Sequence, residues 1–173
     1  MKPEGEFERI VMPHLDAAYN LARWLAGNDH DAEDITQDAC VRAFRFLNGY
    51  RGGNDRAWIL TIVRNTANSW LKKNRPQAVV AIGDDAFTAI EDPDAQESAL
   101  QQADAGVVRA ALESLPLEFR EALVLRELEG LSYKEISEVA GVPVGTVMSR
   151  LSRARRQLQN YLNTKRKGAH ELR

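Results

Sequence analysis

The stretch at residues 132–158, SYKEISEVAGVPVGTVMSRLSRARRQL, carries the clearest structural pattern of the chain. Ser132 and Glu135 have the spacing of a capping box, in which each side chain satisfies a free backbone N–H group at a helix start. Gly141 fits the helix end, because glycine adopts left-handed backbone angles at little cost. Four apolar residues then follow at spacings of four, three and four, which predicts a second helix with one buried stripe. They are Val147, Leu151, Ala154 and Leu158.

Two short helices joined by a tight turn predict a helix-turn-helix, whose second helix enters the major groove of DNA. Helical geometry places Ser149, Ser152, Arg153 and Arg156 opposite the stripe, with Arg150 and Arg155 beside it. Residues 146–173 carry a net charge of +7, whereas the whole chain carries −2. Such a local concentration of positive charge is typical of nucleic-acid binding. The simpler alternative is a solvated basic surface.

The composition predicts a globular protein. The chain has 173 residues, of which 44% are hydrophobic and 28% charged. We find no apolar run near the roughly 18–20 residues that a membrane span needs, and no signal peptide. The single cysteine, Cys40, cannot form an internal disulfide and fits a buried thiol. We therefore expect a reduced, cytoplasmic protein without membrane insertion.

Charge divides the chain into parts. Residues 76–106 hold seven acidic residues and no Lys or Arg, together with few large apolar side chains. Such a segment is unlikely to form a core of its own and is typical of a linker. The expected fold is all-α, with two small helical domains joined by an acidic linker. The predicted boundaries are 1–75, 76–97 for the linker, 98–165 for the helix-turn-helix domain, and 166–173 for a basic tail.

The first domain reads as three helices. A helix over 6–27 is expected to kink or divide at Pro13. Asp29 or Asp31 is predicted to cap a second helix, DAEDITQDACVRAFRFL, and Asp55 a third, RAWILTIVRNTANSWLKKNR. Phe44 falls in the apolar half of the second helix. The opposite side contains Asp34, Gln37, Asp38, Val41 and Arg45, which from spacing alone fits a solvated face better than a partner surface.

The loop at residues 48–55, NGYRGGND, contains three glycines but no Gly-Lys-Ser/Thr, so it is not a phosphate-binding P-loop. Aromatic, amide and basic side chains surround it, and such groups can stack on exposed bases and neutralise phosphates. Trp58 and Trp70 can equally be core residues, and this alternative is favoured for Trp70. The residues around the loop are Tyr50, Arg51, Arg56 and Trp58, and those on the outer face of the third helix are Thr61, Arg64, Asn65, Asn68 and Lys72.

Three segments in register resemble the extracytoplasmic-function (ECF) sigma factors of bacterial RNA polymerase. They are DAEDITQDACVRAF, RAWILTIVRNTANSWLKKNR and SLPLEFREALVLRELEGLSYKEISEVAGVPVGTVMSRLSRARRQL. The resemblance covers about residues 5–162. It implies a two-domain helical protein that binds core RNA polymerase, recognises the −35 element as duplex and opens the −10 element. It also implies an anti-sigma factor as a partner, and a linker that threads toward the polymerase channels.

The resemblance assigns roles residue by residue. It implies polymerase binding by Asp34, Gln37, Asp38 and Val41. It implies −10 DNA binding by Asn48, Tyr50, Arg51, Asn54, Arg56, Trp58, Arg64, Asn65, Asn68 and Lys72. It implies −35 DNA binding by Thr146, Ser149, Arg150, Ser152, Arg153 and Arg156. Two positions depart from the family pattern, Ser69 where many relatives carry an acid and Met148 in the recognition helix. Both bear on which promoter sequence is read.

Three alternatives stay open. A helix-turn-helix regulator without polymerase contact would not need the acidic face or the glycine loop. A sigma-mimicking adaptor that sequesters an anti-sigma factor would not need Arg153 and Arg156. An enzyme is the weakest alternative, because His14, His30 and His170 fall in unrelated segments and no catalytic motif is present. We therefore expect no catalytic residue, cofactor, metal site or small-molecule substrate.

Overall fold

The computed structural model describes residues 3–78 and 105–171, and every regular element in these two ranges is helical. We call the first range the N-terminal unit and the second the C-terminal unit. Most of the predicted acidic linker, and the start of the predicted second domain at 98–104, lie outside the described residues. No helix in the described ranges combines the length and apolar character that crossing a membrane requires.

The N-terminal unit contains four α-helices: α1 (Pro3–Val11), α2 (Leu15–Ala26), α3 (Asp29–Phe46) and α4 (Asp55–Asn74). A 3-10 turn at Met12–His14 separates α1 from α2, which confirms the predicted division at Pro13. Proline lacks the N–H that would continue the helix and its ring clashes with the preceding turn. Short 3-10 turns also follow α3 and α4, at Leu47–Gly49 and Pro76–Ala78.

Two predicted caps were wrong by one to three residues. Asn28, not Asp29 or Asp31, caps α3, and its side chain accepts a hydrogen bond from the Asp31 backbone N–H at 2.9 Å. Asn54, not Asp55, caps α4 in the same way, by accepting from the Ala57 N–H at 3.0 Å. In both cases asparagine lies just before an aspartate, and the extended backbone at the asparagine selects it as the cap.

Helices α2, α3 and α4 pack around a common core. Ile35 on α3 and Ile59 on α4 are fully buried with Leu21 of α2. Cys40 is only partly buried, and burial raises the pKa of its thiol. Phe44 departs from its predicted core position: it is 47% exposed and meets Phe7 edge-on at a ring-centroid distance of 5.7 Å.

The C-terminal unit contains α5 (Ala105–Ser114), α6 (Leu117–Leu123), α7 (Tyr133–Ala140) and α8 (Val144–Glu171). A π-helical turn, Val124–Leu128, extends α6. Helix α8 is a single element of 28 residues. Residues 166–171 of the predicted basic tail continue this helix. Leu151 and Leu158 of α8 are buried with Ile136 of α7, so the apolar stripe read from the sequence is the core side of the helix.

Candidate nucleic-acid interface

Helices α7 and α8 form the predicted helix-turn-helix, and the capping box is present at its start. The Glu135 backbone N–H donates to Ser132 Oγ at 3.1 Å, and the Ser132 N–H donates to Glu135 Oε1 at 3.2 Å. Gly141 ends α7 at a φ of 67°, a left-handed angle that glycine adopts at little cost. The Gly141 N–H donates to the Ser137 carbonyl at 2.9 Å, and α8 begins three residues later.

The outer face of α8 carries the residues assigned to the −35 element. Five of the six, Thr146, Ser149, Arg150, Ser152 and Arg153, are partly exposed, and Arg156 is exposed. The Arg150 guanidinium lies 3.5 Å from a carboxylate oxygen of Glu118 on α6, so one −35 candidate is already in an ion pair.

Arg155, which is not among the −35 candidates, has a structural role. We placed it beside the apolar stripe, but it is only 5% exposed and forms an ion pair with Glu127 in the π-helical turn. The pair links α8 to the end of α6. A buried arginine needs such a partner, because removing its charge from water is costly.

The glycine loop positions an aromatic pair at the start of α4. Gly52 and Gly53 have φ angles of 84° and 114°, which confirms the predicted unusual backbone. The rings of Tyr50 and Trp58 stack with centroids 4.3 Å apart. The Tyr50 hydroxyl donates to Asp55 Oδ1 at 2.6 Å. Burial and this hydrogen bond raise the pKa of Tyr50 to about 12.

Both aromatic side chains are partly buried against the core, so each is anchored on one side. The arrangement leaves part of each ring accessible, which suits stacking on a base. Other −10 candidates near the loop or on the helix are exposed: Asn48, Arg51, Asn65 and Lys72. Asn68 is partly exposed.

Three −10 candidates contact the C-terminal unit. Arg64 Nε donates to Glu121 Oε1 at 2.7 Å, and Arg56 Nη2 donates to Glu129 Oε2 at 3.2 Å. Arg56 also donates to the Glu129 backbone carbonyl. These contacts join α4 to α6 and to the end of the π-helical turn.

The third contact joins two helix caps. Asn54 Nδ2 donates to Glu135 Oε2 at 3.1 Å, while Asn54 Oδ1 caps α4 and Glu135 Oε1 completes the capping box of α7. The hydrogen bond from Asn54, followed by that from the Ser132 backbone, lowers the pKa of Glu135. A carboxylate held by several donors is stabilised in its charged form.

Glu121 is the most buried acid of this contact, with 3% of its surface exposed. Burial raises the pKa of its carboxyl, while the guanidinium groups of Arg64 and Arg150 lower it and Glu118 raises it. The desolvation effect is the larger one. The pair with Arg64 therefore replaces hydration that the carboxylate has lost, and its net contribution to stability is smaller than its short distance suggests.

A groove of about 850 Å³ lies between α2 and α3. Two polymerase-binding candidates, Gln37 and Val41, line it together with Cys40 and Tyr19. Val41 is 48% exposed. Asp34 and Asp38 are exposed on the same helix, and Asp38 forms an ion pair with Arg42 at 3.2 Å. The face thus combines acidic side chains with an apolar depression.

One cluster among the described residues has the composition of a metal site. His30, Asp31 and Asp34 bring potential ligand atoms within 4.8 Å of one another. Asp31 is already bound by Asn28 and Arg75, and the other two side chains are exposed. Exposed acidic groups of this kind are common without a metal, so we assign no metal site here.

Sequence reasoning missed Glu121, Glu129 and Trp24. The backbone carbonyl of Trp24 on α2 accepts a hydrogen bond at 3.2 Å from Arg120 on α6. Glu121 left no signal in the sequence, because Glu118 and Arg120 in the same short helix α6 are charged as well. The other two could not be recognised, because their partners lie far away in the sequence.

Comparison with known proteins agrees with this geometry. Residues 10–77 match sigma-70 region 2, and residues 105–158 match sigma-70 region 4. The chain is 39% identical over 157 residues to the ECF RNA polymerase sigma factor SigE of Mycolicibacterium smegmatis, covering 90% of this chain and 61% of that protein. It is 33% identical over 167 residues to the RNA polymerase sigma-H factor of Pseudomonas aeruginosa, covering 90% of this chain and 86% of that protein.

The fold is also similar to a solved structure, the sigma factor RpoE of Bartonella quintana in complex with the anti-sigma factor NepR. The TM-score is 0.70 at 30% identity, with 91% of this chain and 96% of that chain covered. A two-unit helical protein with sigma regions 2 and 4 is a transcription initiation factor. The chain belongs to the ECF sigma factors of RNA polymerase, which bind the core enzyme and direct it to promoters.

Proposed function

We propose that this sigma factor divides promoter recognition between its two units, with one domain at about residues 1–75 and the other at about 98–165. The single observation that carries the proposal is the presence of region 2 and region 4 in one chain, each with accessible polar and basic side chains. No bond-making chemistry is assigned to the protein, and we propose no catalytic residue. Its place of action is the cytoplasm, where the polymerase is.

The C-terminal unit reads the −35 element as duplex. Thr146 and Ser149 lie near the start of α8, the part of a recognition helix that reaches base edges. Arg153 and Arg156 lie further along the same face and supply phosphate contacts. Such contacts fix the register on DNA, while base contacts select the sequence, at about 1–3 kcal/mol for each good bidentate pair.

The N-terminal unit captures the opened −10 element. The stacked pair of Tyr50 and Trp58 offers an aromatic surface to an unstacked base, and each such stack contributes about 1–3 kcal/mol. Arg51 and Lys72 are exposed and can neutralise phosphates. This binding offsets part of the unstacking energy that strand opening costs.

The exposed face of α3 binds core polymerase. Asp34 and Asp38 supply charge, and Val41 together with the neighbouring groove supplies an apolar contact. The occupant we propose is a basic amphipathic helix of the polymerase, because it complements both properties. Gln37 lines the groove and can bond the backbone or side chains of that helix.

We also propose that an anti-sigma factor regulates this chain. The similar sigma factor RpoE of Bartonella quintana was crystallised with the anti-sigma factor NepR, and the structural match covers 91% of this chain and 96% of the RpoE chain. An inhibitor that binds both units would cover the polymerase and DNA surfaces together.

Run-off transcription tests the proposal. Purified core polymerase and the full chain are incubated with a library of upstream sequences from the source genome. Transcripts that require the protein and share two upstream elements are the expected result. A plain regulator would instead bind duplex promoter DNA tightly without polymerase and give no transcript.

A variant pair localises the polymerase contact. Val41→Asp places a charge in the apolar part of the α3 face and is expected to lower core affinity at least tenfold in a pull-down or fluorescence assay. The control Glu8→Gln changes an exposed residue of α1 and is expected to have no effect. Equal core binding by both variants would rule out this face.

A further inference from the structure

Three glutamates of the C-terminal unit hold three of the residues assigned to −10 DNA. Glu121 binds Arg64, Glu129 binds Arg56, and Glu135 binds Asn54. We call Glu121, Glu129 and Glu135 the acid latch. In each of the three contacts, one residue comes before residues 79–104 in the sequence and the other comes after them.

The acid latch accepts hydrogen bonds from the same guanidinium groups of Arg56 and Arg64 that would otherwise bind DNA. Arg64 Nε is bound to a carboxylate oxygen at 2.7 Å, and the Arg64 side chain is 18% exposed. A guanidinium that binds a carboxylate this closely cannot present the same N–H group to a phosphate. The carboxylates therefore occupy positions that phosphate or base oxygens would take on Arg56 and Arg64.

We propose that the acid latch closes the two units on each other and withholds Asn54, Arg56 and Arg64 from DNA until the units separate. The inference rests on the proposed −10 role of these residues. It adds a regulation that lies within the chain itself and needs no second protein.

The contact is built so that it can open without unfolding either unit. Asn54 caps α4 through Oδ1 and meets Glu135 through Nδ2, so separation releases only the second group. Glu135 likewise keeps its bond to the Ser132 N–H through Oε1. Both helix starts stay satisfied in the open form.

Opening separates Arg64 from Glu121, which keeps Arg150 of its own unit as a charged neighbour. Burial already opposes the charged form of this carboxylate in the closed contact, so its ion pair with Arg64 contributes little net stability. The closed and open forms are therefore expected to be close in free energy. A competing ligand such as a DNA strand can shift such an equilibrium by binding the open form alone.

Fluorescence energy transfer within the full chain tests the proposal. In a Cys40→Ser background, Lys73→Cys on α4 and Gln159→Cys on α8 provide labelling sites, and both positions are exposed. The latch variants are Glu129→Gln and Glu121→Gln, and each keeps the shape of the side chain while removing its charge. The control is Glu138→Gln, an exposed glutamate on α7.

We expect Glu129→Gln to lower the closed-to-open ratio about tenfold, a change that corresponds to about 1.4 kcal/mol. Glu121→Gln should lower it less, because neutralising Glu121 also removes the cost of burying its charge. The control is expected to match the wild type. In the charge swap R64E/E121R the ion pair can re-form with reversed polarity, so energy transfer should recover. Identical energy transfer in the wild type, both latch variants and the control would overturn the proposal.

Binding of a fluorescent oligo(dT) strand gives the second measurement. The latch variants are expected to bind it several-fold more tightly than the wild type, and R64E/E121R to bind it weakly although closed. Equal affinities would show that the acid latch does not withhold these residues from DNA. If Glu121→Gln lowers stability, as circular dichroism would show, Glu129→Gln decides the outcome.

The same preparations are used in run-off transcription, so the two proposals can fail separately. Normal transcription by the wild type, the latch variants and the control, with unchanged energy transfer, would reject the acid latch and keep the promoter-recognition proposal. Absence of transcription with the expected changes in energy transfer would reject that proposal and keep the closed contact.

Discussion

At the scale of single residues, Asp31 shows how one carboxylate fixes the start of a helix. It accepts a hydrogen bond from Asn28 Nδ2 at 2.7 Å and forms an ion pair with Arg75, which follows α4. The bond from Asn28, and then that from Arg75, lower the pKa of Asp31. Arg75 also donates to the Ala26 carbonyl at 2.6 Å, so the end of α2, the start of α3 and the end of α4 meet at one point.

This arrangement predicts a pH dependence. Because the folded chain holds the Asp31 pKa below its ordinary value of about 3.9, the stabilisation is complete above that value and is lost as the pH falls through the lowered one. Asp31→Asn should lower the melting temperature near neutral pH and make the acid side of the stability profile less steep. Thermal melting at a series of pH values checks this. Glu8→Gln should leave the profile unchanged, and a parallel profile for Asp31→Asn would contradict the prediction.

Arg153 tests promoter recognition at the same scale. Arg153→Ala should weaken binding of the holoenzyme to its promoter and reduce the slope of log affinity against log salt by about one. Arg153→Lys keeps the charge but loses the planar fork, so it should retain the slope while losing any base contact. Filter binding between about 50 and 200 mM salt measures both. An unchanged slope in the alanine variant would remove Arg153 from the phosphate contacts.

At the scale of elements, the apolar spacing of α8 was a dependable signal, whereas the cap residues of α3 and α4 were not. The spacing of Val147, Leu151 and Leu158 predicted the core side of α8, and all three residues are buried. At the starts of α3 and α4, asparagine and aspartate are neighbours and both are good cap residues. Sequence could not choose between them, since the choice depends on the backbone angles just before each helix.

The capping box of α7 supports a prediction about that element. Ser132→Ala removes the hydroxyl that accepts the Glu135 N–H and should lower the free energy of unfolding by about 1 kcal/mol. Urea denaturation followed by circular dichroism measures the change. Ser69→Ala, at an exposed position inside α4, should have no cost, because alanine favours a helix interior. Equal loss in both variants would mean that the cap contributes nothing.

At the scale of the whole molecule, the contact between the units was beyond sequence reasoning. Glu121, Glu129 and Glu135 lie 57, 73 and 81 residues from their respective partners. Charge alone offers many pairings at such separations, and only the packing of α4 against α7 and of α2 against α6 selects these. The polar faces assigned through the family resemblance remain predictions, and the structure adds that three of their members, Asn54, Arg56 and Arg64, contact the other unit.

Arg120 supports a prediction about stability, because it bonds backbone carbonyls in both units. Its guanidinium donates to the carbonyls of Leu112, Leu115 and Glu113 in its own unit and of Trp24 in the other. Arg120→Met would leave partly buried carbonyls without donors and should lower the free energy of unfolding by about 1–3 kcal/mol. Urea denaturation compares it with Arg166→Met, an exposed position on α8 that should have little effect. A wild-type midpoint for Arg120→Met would contradict this account.

The 28-residue length of α8 affects how its charges act on DNA at different salt concentrations. At 1.5 Å per residue the helix measures about 42 Å, and Arg153 and Lys167 lie about 21 Å apart along its axis. Ions screen charges beyond about 8 Å in physiological salt but only beyond about 30 Å at 0.01 M. In the cell, salt therefore screens the charge of Lys167 from DNA bound near Arg153. In dilute buffer, charges at both ends of α8 attract DNA. Part of the measured promoter affinity would then come from Lys167 and not from the residues that read the promoter.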